Sequence, residues 1–113
     1  MKIIQDTIKL EELKQMAAAM FGTMVKAVVD VERELLAVDA ELHSDLEALL
    51  LEDGSSQKSL WGINFYPELS GNDFVEFDSM INVRPSQGNR SRSVENPELR
   101  KQIVSVVAKK VAK

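Results

Sequence analysis

The sequence has no cysteine among its 113 residues. This excludes disulfides, thiolate metal sites and a cysteine nucleophile, and it fits a reducing compartment. A chain of this length can bury a core without covalent staples, since it falls within the commonest range of domain sizes. We therefore expect a single domain over residues 1–113.

Long apolar runs are also missing. No stretch approaches the roughly 20 apolar residues that a membrane helix needs. The first six residues, Met1 to Asp6, place an acid where a signal peptide would keep its apolar segment. We expect a cytoplasmic protein that does not contact membranes.

The charges are divided unevenly along the chain, whose net charge is −4. Residues 1–83 carry 6 basic and 16 acidic side chains, whereas residues 84–113 carry 8 basic and 2 acidic ones. Such an asymmetry can mark a docking surface. It also arises when a basic C-terminal helix packs beside acidic elements of its own chain, and this second explanation is the one we favour.

Three segments have helical features. The apolar period predicts one helix at about 8–21, and the capping residue Asn96 predicts another at about 97–111. Residues 39–53 fit either a helix or a strand, because acidic residues alternate with apolar ones there. We favour a helix from about 43 to 53, since alanine, leucine and glutamate are strong helix formers.

Four segments have the composition of strands, with β-branched and aromatic residues on alternating positions. They fall at about 25–31, 35–38, 60–66 and 74–83. The resulting order is α-β-β-α-β-β-α. It predicts an α+β fold in which two hairpins form an antiparallel four-stranded sheet, packed with three helices in two layers.

Several stretches together resemble a family of short prokaryotic proteins that carries only a "domain of unknown function" label. The resemblance covers most of the chain from about Leu10. The stretches are Glu41–Asp45, Leu49–Ser55, Leu60–Asn64 and Ile81–Ser91. The resemblance implies one domain of conserved length, and it points to no particular activity.

The polar loop of residues 84–93 is a candidate anion site. Arg84, Arg90 and Arg92 offer forked donors suited to phosphate or carboxylate, and Asn89 adds a neutral donor. The loop has one glycine, so it matches neither a P-loop nor a dinucleotide fingerprint. The alternative is a solvated connection whose arginines pair with acids of the same chain.

The only histidine, His43, lies in the run Glu41-Leu42-His43-Ser44-Asp45-Leu46-Glu47. On a strand, Glu41, His43, Asp45 and Glu47 would share a face and could chelate a divalent ion. On a helix, His43 and Glu47 still meet, and the imidazole could act as a general base oriented by Asp45 or Glu47. We favour a structural histidine, and we predict no metal and no cofactor.

Three further residues are candidates for lining a pocket: Trp61, Asn64 and Asn82. At its position in a predicted strand, Trp61 is more often part of a core or an interface.

No set of nucleophile, base and acid is recognisable, so we expect a binding or interaction module that forms a homodimer through exposed sheet edges. Its partner would be an anionic ligand or a protein. Two alternatives stay open. One is a small hydrolase acting on a phosphorylated or nucleotide substrate with His43 and Arg84. The other is a regulator or toxin–antitoxin component that contacts nucleic acid through residues 84–113, against which the acidic composition argues.

Overall fold

The computed structural model describes residues 1–113 and contains three α-helices, as predicted: α1 (Leu10–Ala19), α2 (His43–Glu52) and α3 (Pro97–Lys110). The helix α3 begins after Asn96 because the side-chain oxygen of Asn96 accepts hydrogen bonds from the next free N–H groups. Residues 43–52 are a helix because Leu46 and Leu50, one turn apart, are both fully buried. No helix has the length and apolarity needed to cross a bilayer.

The strands are β1 (Lys2–Ile4), β2 (Ile8–Lys9), β3 (Val25–Asp30), β4 (Leu35–Val38), β5 (Leu60–Phe65), β6 (Val75–Glu76) and β7 (Val111–Ala112). They form an antiparallel sheet with the order β1-β4-β3-β5-β6, and a separate parallel pair joins β2 to β7. The prediction of four strands was wrong, since the sheet has five. The missed strand, β1, pairs with β4 but is only three residues long, too short to show an alternating pattern.

Helices contact both faces of the sheet, so the two-layer arrangement is not confirmed. Val29 of β3 belongs to a core cluster with residues of α1 and α3, including Leu13 and Ile103. Its neighbour Val28 belongs to a second cluster with Leu46 of α2. Because successive side chains of a strand point to opposite faces, α2 lies on the face opposite to α1 and α3.

The segment predicted as a strand at 74–83 differs most from the structure. Only Val75–Glu76 pairs with β5, and Met80–Asn82 form a short 3₁₀ turn instead. Residues 79–96, which we call the edge segment, then run beside the part of β5 that β6 does not cover. The predicted loop of residues 84–93 belongs to this segment.

One side chain of the edge segment takes the place of a neighbouring strand. The Asn82 amide accepts a hydrogen bond from the Gly62 N–H at 2.8 Å and donates one to the Gly62 carbonyl at 2.9 Å. Gly62 permits this approach, because a Cβ atom there would lie 2.5 Å from the Cβ of Ser79. The uncovered edge of β5 is thus sealed by a side chain.

Candidate ligand-binding cleft

Arg84 lies inside the protein, with 8% of its surface exposed. Its guanidinium donates to the carbonyls of Ile81 and Gln57, both at 2.9 Å, and to that of Leu60. It also lies 4.6 Å from the centre of the Trp61 ring. Burial lowers the pKa of Arg84, and the Glu47 carboxylate, 3.5 Å away, opposes this shift. The Arg84 guanidinium therefore has main-chain hydrogen-bond partners inside the fold.

The other buried members of the predicted sites also bind main chain. Asn89 donates to the carbonyls of Asn82 and Ser93, both at 2.7 Å, and accepts from the Glu95 N–H. Asn82 also donates to the Arg92 carbonyl at 3.0 Å. These bonds fold the edge segment onto itself.

The remaining arginines of the predicted anion site lie at the surface. Arg92 is 57% exposed and its Nε donates to Asp78 at 2.7 Å. The Arg90 side chain is exposed and has no ion-pair partner. The structure therefore does not gather the three arginines around one anion position, since Arg84 points inward and the others face solvent.

His43 begins α2 and packs against β5, with 8% of its surface exposed. Its Nε2 lies 2.8 Å from the Ile63 carbonyl, so this nitrogen carries the proton and donates. Burial lowers the pKa of His43 below its ordinary value of 6.5, because desolvation disfavours the charged imidazole. The bond to Ile63 acts against this shift. The neutral form is therefore favoured in the folded protein.

Polar residues of three neighbouring strands form a row across the sheet, and two of them, Lys26 and Asn64, lie close enough to His43 to affect its pKa. Lys26 is paired with Asn64, and Asn64 is paired with Glu76. The Asn64 amide donates to the Glu76 carboxylate at 2.9 Å, and the Tyr66 hydroxyl donates to the same oxygen at 3.1 Å. Asn64, which the sequence predicts to line a pocket, is buried in this row and lines none of the main surface clefts.

The carboxylates near His43 in sequence do not join it in a metal centre. Glu41 and Asp45 are exposed, whereas Glu47 faces Arg84. No group of three or more potential metal ligands is close enough to hold an ion.

His43 and Arg84 contact different parts of β5. His43 binds the carbonyl of Ile63, whereas Arg84 binds that of Leu60 at the start of the strand. Neither residue lines any of the main surface clefts. Trp61 borders a shallow cleft of about 380 Å³ beside Lys58 and Gln87.

The main surface cleft with the greatest volume lies elsewhere, between α3 and β6. This cleft has a volume of about 750 Å³, within the range of small-molecule pockets, and seven of its eleven lining residues are hydrophobic. Phe74 and Phe77, on either side of β6, line it opposite Val104 and Ala108 of α3. Val104 is 48% exposed, so apolar surface is open to solvent here.

Two cations border the cleft. The Arg100 guanidinium lies 4.7 Å from the centre of the Phe77 ring, and the Lys113 amine lies 5.6 Å from the centre of the Phe74 ring. Arg100 is held in place by bonds to Val94 and Ser93. Neither cation has a carboxylate within salt-bridge distance. The cleft is therefore apolar inside and positively charged at its border.

No side chain that carries a carboxylate, imidazole or hydroxyl lines the cleft. Apart from the Lys113 amine, the side chains that usually serve as nucleophile and general base are therefore absent from it. What the lining can do is bind an apolar group and hold an anionic one next to it.

Sequence analysis missed this cleft. Its strongest signal in the sequence is Val104, an apolar residue of α3 that lies outside the buried face that includes Ile103 and Val106. The other walls come from Phe74 and Phe77, and their position next to α3 depends on the path of the edge segment, which no local pattern reveals.

A family model described as "Protein of unknown function (DUF5674)" matches residues 2–110. No curated protein and no solved structure matches the chain.

The role of Arg84 can be tested with Arg84→Lys. An ammonium group cannot reproduce the fork that binds three carbonyls, so we expect the free energy of unfolding to fall by about 2–4 kcal/mol in urea denaturation. The matched control is Arg92→Lys, at an exposed position of the same segment, which should change stability by less than about 0.5 kcal/mol. Equal, small effects in both variants would contradict the structural role of Arg84.

The lowered pKa of His43 predicts a pH-dependent stability. The unfolded chain protonates this residue at a higher pH than the folded protein, so the free energy of unfolding should decrease as the pH falls through about 6.5. His43→Gln retains an N–H for the Ile63 carbonyl but cannot titrate. Urea denaturation between about pH 7.5 and pH 5.5 should show a smaller decrease in the variant; identical decreases would rule out His43 as the source.

Proposed function

The chain belongs to the DUF5674 family, and we propose that it is a non-enzymatic binding protein whose ligand site is the cleft between α3 and β6. The ligand class is an apolar molecule that carries a negative charge. One observation carries the proposal: the largest apolar cavity is bordered by two cations, Arg100 and Lys113, that have no carboxylate partner.

The positions of the cations support an anionic ligand. Each cation is exposed and lies over an aromatic ring that lines the cleft, so its charge is accessible to a ligand that enters from solvent. A ligand could place its apolar part against Val104 and Phe77 and its anionic group beside Arg100. No acidic side chain lines the cleft to repel that group.

The two alternatives from the sequence receive less support. A hydrolase needs His43 and Arg84 beside one substrate, but the donors of both are directed to main-chain carbonyls. Nucleic-acid binding through residues 84–113 would use the basic side chains of this segment together, but Arg84 is buried, Arg92 pairs with Asp78, and Lys109 pairs with Glu34, which reduces the positive surface available.

A homodimer in the cytoplasm remains part of the proposal. Its support is the outer edge of β1, which ends the sheet and pairs with no other strand. Unpaired edges of this kind readily associate with a second chain.

Ligand binding to the cleft can be measured with anilinonaphthalene sulfonate, a fluorescent probe with an apolar body and one negative charge. Ala108→Phe places a ring in the cleft from an exposed position of α3. We expect the variant to weaken probe binding by about tenfold or more, because the new ring occupies the apolar space.

The matched control is Ser105→Phe, the same new side chain at another exposed position of α3. Ser105 borders a different cleft, beside Glu34 and Lys101. The control should bind the probe like the unmodified protein. If Ala108→Phe and Ser105→Phe bind it equally well, the probe does not use the cleft and the proposed site is wrong.

The oligomeric state is tested by light scattering at micromolar concentrations. We expect the mass of two chains, each of 12.6 kDa. Ala108→Phe should leave this mass unchanged if the dimer forms through β1. A monomer at all concentrations would remove the dimer from the proposal.

A further inference from the structure

The strand β6 forms one wall of the cleft and is also the last strand of the sheet. It contacts β5 on one side only. The Tyr66 N–H donates to the Phe74 carbonyl at 2.9 Å, and Glu76 is paired with Asn64. The main-chain groups of Phe74 and Glu76 are therefore directed to β5.

The main-chain N–H and C=O of Val75, which lies between these two residues, are directed away from β5. Along an antiparallel strand, successive residues turn their N–H and C=O groups to alternate sides. The pairing of Phe65 with Val75 is thus the type without mutual hydrogen bonds. The N–H and C=O of Val75 face away from β5, where no strand follows, and Val75 itself lines the cleft.

The open edge and the apolar cleft lie side by side, as strand addition requires. A peptide that pairs with Val75 would extend the sheet by one strand. Every second side chain of that peptide would point to the same face as Val75, toward Val104 and Val107 of α3. These side chains should be apolar, because the α3 side of the cleft is lined mainly by valine and alanine.

The charges at the border specify the ends of such a peptide. The stretch of α3 from Arg100 to Lys110 is about 15 Å long at the usual rise per residue. An extended chain covers this length with about five residues. Arg100 lies toward one end of this stretch, and Lys113 follows the other end. Acidic residues on either side of the apolar ones would therefore face a cation.

We propose that the cleft binds an extended peptide of alternating apolar residues, with an acidic residue at each end, which adds to β6 as a sixth strand. This inference rests on the proposed function and names the occupant of that site. Main-chain bonds to Val75 provide the alignment, the apolar surface of α3 provides the affinity, and Arg100 and Lys113 select for negative charge.

The probe for this proposal is a blocked synthetic peptide of about seven residues, with glutamate at positions 1 and 7, valine at positions 3 and 5, and threonine at the positions between, so that the glutamate and valine side chains share one face. Binding is measured by titration calorimetry. In the same complex, hydrogen exchange of the Val75 amide is followed by NMR. We expect binding to be lost in Ala108→Phe and retained in Ser105→Phe. We also expect exchange at Val75 to slow by about tenfold or more, because its N–H gains an acceptor.

Two N-methylated peptides test the strand pairing itself. One carries the methyl group on an amide that faces β6, and the other carries it on the next amide, which faces solvent. Only the first should lose binding, because strand addition uses alternate amides. Equal affinities for the two peptides, or an unchanged exchange rate at Val75, would overturn strand addition.

The charge selection is tested with Lys113→Glu, and Lys101→Glu is the control with the same change of charge at a position outside the cleft. We expect Lys113→Glu to weaken binding of the peptide severalfold at low salt, and Lys101→Glu to have a smaller effect. If anilinonaphthalene sulfonate binds in the cleft but the peptide does not, the peptide proposal is wrong and the proposed function stands. If neither binds, both are wrong.

Discussion

The hydrogen bonds between the Asn82 side chain and the main chain of Gly62 fix the edge segment against β5, and the position of α3 depends on this segment. At Gly62, β6 no longer pairs with β5. Without Asn82, the N–H and C=O of Gly62 would be buried without hydrogen-bond partners. An orphaned buried group of this kind costs about 1–3 kcal/mol, more than a typical hydrogen bond contributes when it forms. Asn82 satisfies both groups and is itself held by Asn89. The edge segment that these bonds fix leads directly into α3, so the position of α3 over the sheet, and with it the cleft, follows from how β5 is sealed.

The pairing of polar groups within the fold also explains the division of charge along the chain. The basic C-terminal part lies against the acidic remainder: Lys109 bonds Glu34 at 2.6 Å, Arg92 bonds Asp78, and Arg84 lies beside Glu47. The exposed pairs contribute little stability, because water screens them and their side chains lose freedom. Their effect is to neutralise much of the basic segment within its own fold. The cations that border the cleft are different, since no carboxylate of the chain reaches them.

The sequence predicted the elements whose pattern is local. Capping by Asn96, the apolar period of α1 and the alternation in β3 each depend on a few adjacent residues, and the structure has helices and strands there. It did not predict where the chain stops pairing. Residues 74–83 alternate like a strand, but the pairing with β5 ends at Glu76, and Ser79 then packs so close to Gly62 that a Cβ atom there would clash with it. The polar edge segment was taken as an anion site for a related reason. An arginine fork that binds three main-chain carbonyls has the same local sequence as one that binds phosphate, and only the tertiary position of Arg84 separates the two.

The short length of β6 accounts both for the edge of β5 that Asn82 covers and for the exposed outer edge of β6 itself. Because the chain leaves the sheet after Glu76, β6 is too short to cover β5 fully, and its own outer edge has no neighbour. An open edge beside an apolar cleft invites association with any extended chain, including a second copy of the same protein. The two cations restrict that choice. A second copy approaching with the same face would bring the Arg100 and Lys113 side chains of the two copies together, and these like charges would repel as the contact excludes water. An acidic partner meets attraction at the same two points. The charges that have no partner within the fold therefore oppose self-association at this edge and favour an acidic chain in its place.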